Sequence, residues 1–155
     1  MLKEFVYLIV KAAKAQPNLR TFLLHDVYRL NHLPNIVYGA LVLETEQGVM
    51  VGEDIIRFNF ILYYVDRLTA NKDNMLDAQS TGIDVLHNII KSLPEEIDMI
   101  SSTYRVFDQK FKDDCAGAYV NVTLDMPVRS ICGEVPGDGD FNLDFNEDFL
   151  LYLGE

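Results

Sequence analysis

Cysteine and histidine are scarce in this chain, with two and three copies in 155 residues. Cys115 and Cys132 lack C-x-x-C spacing and are too few to staple a disulfide scaffold, which points to a reducing compartment. His25, His32 and His87 stand far apart, with no HxxxH or HExxH arrangement to set two ligands on one face. A glycine-rich phosphate loop and a GxSxG elbow are both missing, so neither an enzyme nor a cofactor or metal is expected. Long apolar runs are missing too. Leu2 to Ala15 is interrupted by Lys3, Glu4, Lys11 and Lys14 at helical spacing, which excludes a signal peptide. No run approaches the ~20 apolar residues of a membrane span. A soluble chain, cytosolic where it is made and without a membrane partner, is the expectation. Positive charge is also short: 13 Lys and Arg face 24 Asp and Glu, for a net charge of −11. Stable nucleic-acid binding needs a basic surface, so only transient contact with passing DNA fits this balance.

The size suits one domain, and a hydrophobic content of 49% is enough to build a core. The acids are unevenly placed. Residues 134–155 hold seven of them (Glu134, Asp138, Asp140, Asp144, Glu147, Asp148 and Glu155) and no Lys or Arg. This divides the chain into an α+β core, 1–133, and an acidic C-terminal arm, 134–155. Pro136-Gly137-Asp138-Gly139 opens the arm as a breaker, after which Phe141, Leu143 and Phe145 alternate with polar residues. Phe141, Phe145, Phe149 and Tyr152 are too many large apolar groups to leave in water. The arm is therefore expected to dock, on its own domain or on a neighbour.

The core is organised by Ile55 to Leu93. From Ile56 to Tyr64 apolar residues alternate with period two, which predicts a strand with Phe58, Phe60 and Leu62 facing inward. Leu76, Gln79, Ile83, Leu86, Ile90 and Leu93 then recur at helical spacing, capped by Asn71 or Asp73 and stopped by Pro94. Residues 2–15 predict another amphipathic helix, and 19–24, 36–45, 98–107 and 118–126 predict strands, with a turn of helix over 26–31. Glu46 to Asp54, containing Gly48 and Gly52, reads as a hairpin loop with Val49 and Met50 exposed near its tip. Residues 108–116 read as a second loop, carrying Phe111. The element order predicts one mainly antiparallel sheet with both long helices on one face.

Several suggestive patterns dissolve on inspection. Cys115 stands beside Lys112 and two aspartates of opposing influence, which favours a structural thiol at a strand start over a nucleophile. Asp138, Asp140, Asn142 and Asp144 mimic the opening of an EF-hand, but Leu143 stands where its Gly belongs and Phe149 where its Glu belongs. Asp66 and Arg67, adjacent at the end of the organising strand, face opposite sides and cannot readily pair with each other. Each is a candidate for a cap, a structural bridge or a subunit contact.

One resemblance adds a class to these readings. Tyr64-Val65-Asp66-Arg67-Leu68, Asp73-Asn74, Gln79-Ser80-Thr81-Gly82-Ile83, Leu86, Asn88-Ile89-Ile90 and Phe111-Lys112-Asp113-Asp114-Cys115-Ala116-Gly117 resemble neck and tail ring proteins of crAss-like tailed phages that infect Bacteroidetes. That family is similar in fold to tail-terminator and tail-completion proteins. The resemblance covers roughly positions 19 to 132. It implies a structural virion protein of the neck or tail, assembled in the host cytoplasm. Such a subunit forms a six-fold or twelve-fold homo-oligomeric ring in the DNA conduit and contacts neighbouring neck or tail proteins. The interface residues expected on this reading are Val49, Met50, Asp66, Arg67, Phe111, Phe141, Phe145, Phe149 and Tyr152. The competing expectations are a small bacterial enzyme or ligand-binding α+β domain, for which the sequence offers no convergent set of polar groups, and an adaptor that offers its acidic arm to a basic partner.

Overall fold

A computed structural model of the chain describes residues 2–108 and 113–128, and the backbone of residues 150–152. The fold is α+β. Helix α1 (Leu2–Lys14) leads into strand β1 (Thr21–Leu24), a 3-10 helix (Val27–Asn31) and the hairpin β2 (Ala40–Gly52) and β3 (Ile55–Arg67). Helix α2 (Met75–Lys91), β4 (Asp98–Asp108) and β5 (Cys115–Pro127) follow. The strands form one mixed sheet in the order β4-β5-β3-β2-β1, and β6 (Leu150–Tyr152) is added outside β1. Every pairing is antiparallel except that of β1 with β2.

The period-two pattern of β3 explains its central place. Phe60, Leu62 and Tyr64 point to the face that both helices cover, and Tyr63 and Val65 point to the other. On the helix face, α1 inserts Phe5, Val6, Ile9, Val10 and Ala13, residues that share one helical stripe. The Phe5 ring lies 4.3 Å from that of Phe60. Glu4 in the first turn of α1 and Lys11 and Lys14 in the last oppose the helix dipole. Helix α2 seats closely because Gly82 has no Cβ: one there would stand 3.0 Å from the Cβ of Ala118.

The opposite face is closed by a layer that periodicity does not announce. Val27 and Leu30 of the 3-10 helix cover Ala40, Val42, Tyr63 and Val65, helped by Leu33, Ile36 and Tyr38. Asp26 caps that helix by accepting from the Tyr28 amide at 2.8 Å, and the Glu44 carboxylate accepts from the Val27 amide at 2.6 Å. These bonds satisfy N-terminal amides that the helix leaves unpaired.

Four expectations are corrected. Strand β2 starts at Ala40, because Ile36 and Tyr38 before it pack in the covering layer. Glu46 to Gly52 is strand, leaving Glu53-Asp54 as a two-residue turn; an extra residue is absorbed between Thr45 and Gly48, after which pairing with β3 resumes. Helix α2 begins after Asn74, not Asn71 or Asp73, and the Asn74 side chain ties the preceding turn: its Oδ1 accepts from the Thr69 amide and its Nδ2 donates to the Arg67 carbonyl. The buried face of α2 is Ala78, Gly82, Val85, Leu86 and Ile89, whereas Leu76 is 75% exposed and Ile83 37%. Of the anticipated stripe, Leu86 is in the core and Ile90 and Leu93 pack against it, while Leu76 and Ile83 turn to solvent. Small residues let the helix lie flat on the sheet, and that close seating outweighs the larger side chains of Leu76 and Ile83.

Candidate functional site

Two surfaces at opposite sides of the sheet combine exposed apolar side chains with an open strand edge. The first is the outer half of β2. Strand β1 pairs with β2 only over Ala40–Leu43, so from Glu44 to Gly52 the far edge of β2 has no strand beside it among the described residues. Val49, Met50 and Val51 are exposed there, Met50 to 66%, and Ile55 across the turn adds to them. Val49 and Met50 thus lie on strand, opposite Arg57 and Ile56, rather than at a loop tip. An apolar open edge in water is a pairing hazard unless something covers it.

The second surface is β4, which pairs with β5 alone among the described residues. Ile100, left over at a bulge between Met99 and Ser101, and Val106 are both exposed, Val106 to 50%. Helix α2 leans over this edge. Gln79 Nε2 donates to the Phe107 carbonyl at 3.2 Å, and His87 Nδ1 lies 3.4 Å from the Tyr104 hydroxyl. Between helix and strand runs a mainly apolar groove of about 410 Å³, lined by His87, Ile90, Leu93, Ile97, Met99 and Tyr104. Ile83, one helical turn from both Gln79 and His87, continues the stripe. Sequence reasoning missed this groove as a site. Its signal was present in the excess width of the apolar stripe on α2, which one core cannot absorb.

The remaining candidates are structural in their contacts. Asp66 accepts from the Tyr64 hydroxyl at 3.3 Å and from the Arg67 amide at 2.8 Å, so its carboxylate finishes β3. The Arg67 carbonyl receives Asn74, and its side chain is exposed. Cys115 is fully buried at the start of β5. Burial pushes its thiol up to about 11, well away from thiolate chemistry. Tyr38, raised mainly by burial, donates to Asp113 at 2.9 Å. Arg57 and Asp125 form a two-bond ion pair across β3 and β5, at 2.7 and 2.9 Å. The guanidinium hydrogen bond holds the Asp125 carboxyl below its ordinary value.

Among the described residues no group of three or more His, Cys, Asp or Glu is placed to hold a metal ion. No helix among them is long and apolar enough to cross a membrane. Phe111, Phe141, Phe145 and Phe149 lie outside the described residues. Tyr152 is described in its backbone, which pairs with Thr21 in β1. No protein-family model matches the chain, and no curated protein matches it.

Proposed function

We propose that the chain is a structural subunit of a tailed-phage virion, forming a closed homo-oligomeric ring in the neck or tail around the path of the DNA. The observation that carries this reading is the pair of unlike open edges, β4 on one side of the sheet and the outer half of β2 on the other. A ring made by head-to-tail contacts needs two different surfaces on opposite sides of each subunit. Both edges carry exposed apolar residues that association would remove from water. The tail-terminator-like resemblance supplies the virion class, and the net charge of −11 suits a conduit along which DNA slides without being held. Negative-stain imaging of the purified full chain tests the reading: rings of uniform diameter support it, and a field of monomers overturns it. A folded monomer that captures a basic partner would favour the adaptor reading instead.

A further inference from the structure

The groove between β4 and α2 has the form of a strand-acceptor site, an open strand edge with a row of apolar side chains beside it. Met99, Tyr104 and Val106 share the helix-side face, since Tyr104 and Val106 stand opposite Val120 and Ala118 of the core. Thr103 and Arg105 point to the other face, opposite Asn121 and Tyr119. A strand added here would place every second side chain against the groove and the alternate ones beside Thr103 and Arg105.

The chain itself contains a segment with that pattern. Phe141, Leu143 and Phe145 are apolar, and Asn142 and Asp144 between them are polar, one of them an acid to meet Arg105. Charge separates the two open edges as acceptors. Residues 44–54 along β2 and its turn carry Glu44, Glu46, Glu53 and Asp54 and no cation, so they repel an acidic arm. The β4 edge and its groove carry Arg105 and Lys91 beside Glu95, Asp98 and Asp108, so they offer an acidic strand cations that the β2 edge lacks.

Reach decides which copy supplies the strand. With β6 paired to β1 of its own chain, residue 150 lies on the opposite side of the sheet from β4, five strand spacings away. That is roughly 24 Å at about 4.8 Å per spacing. The five steps from residue 145 to 150 span at most about 18 Å, and the sheet lies in the way. Residues 141–145 therefore cannot reach β4 of their own chain, whereas a head-to-tail ring would bring the β4 of the next copy to the β1 side. We infer that residues 141–145 of one copy add as a strand to β4 of the next, with Phe141, Leu143 and Phe145 in the β4–α2 groove, so that the arm forms the seam between subunits. This inference rests on the ring reading above.

The test uses the full chain. Val106→Asp and Leu143→Asp are made separately, and each oligomer is sized by light scattering with circular dichroism as the control for folding. Because Val106 is half exposed, its substitution leaves the fold intact. The inference expects each variant to fall to the monomer mass with an unchanged spectrum. It also expects, in a Cys132→Ser background, a disulfide joining a Thr103→Cys chain to an Asn142→Cys or Asp144→Cys chain after mixing. A full-size oligomer in either charge variant overturns the seam and leaves the ring standing. Two engineered cysteines in one chain that close within a monomer overturn it as well. A wild-type chain that is monomeric at every concentration overturns both.

Discussion

Gly117 shows how little freedom single positions have where the sheet is doubly covered. A Cβ at that position would stand 1.9 Å from the carbonyl oxygen of Tyr64, which is backbone and cannot step aside. Gly117→Ala is therefore predicted to lower stability by about 1–3 kcal/mol or more, the cost of forced overpacking with backbone movement. Gly52→Ala, where the nearest atom would be at 3.8 Å, should leave the melting temperature almost unchanged. Thermal melts of the two variants make the comparison. The Arg57–Asp125 pair gives a pH signature. A carboxyl held low in the folded chain favours folding above its unfolded value, and that contribution is lost as pH falls through the lowered one. Stability should thus decline in acid, below about pH 4, with part of the decline due to this pair. Asp125→Asn should flatten that part of the acid limb in denaturant titrations. An identical limb in the variant would assign it to other carboxylates.

At the scale of elements, periodicity made the architecture legible while packing detail escaped it. The alternation from Ile56 to Tyr64 and from Ala118 to Met126 located the two central strands, and the stripe of α1 located the first helix. The 3-10 layer was not legible as a cover, because a few apolar residues over an irregular segment have no period. The outer half of β2 was hidden by Gly48 and by the bulge beside it, which together look like a turn. On α2 the anticipated stripe met the core at Leu86, Ile90 and Leu93, while nearer the N-terminus Ala78 and Gly82 took the core in place of Leu76 and Ile83. This difference yields a paired prediction. Ile89→Asp buries a charge between sheet and helix and should abolish soluble folded protein, at a cost of several kcal/mol. Ile83→Asp should fold with a normal spectrum. Equal damage from both would show that Ile83 faces the core after all. Of the surfaces, Val49 and Met50 were legible as exposed apolar residues, whereas the β4–α2 groove was not, since it exists only once strand and helix are brought together.

Taken whole, the molecule is an acidic sheet-and-helix protein that, among the described residues, leaves β4 and the outer half of β2 open, with residues 150–152 paired to β1. Edges of this kind aggregate without limit unless geometry closes them, and closure is what distinguishes a ring from a filament. The two outcomes differ in how mass responds to concentration. Sedimentation velocity of the full chain across a wide dilution series measures that response directly. A closed ring predicts one dominant species whose mass is a fixed multiple of 17.7 kDa and does not grow as concentration rises. A lone 17.7 kDa monomer throughout the series, or a mass that climbs steadily with concentration, would contradict the account.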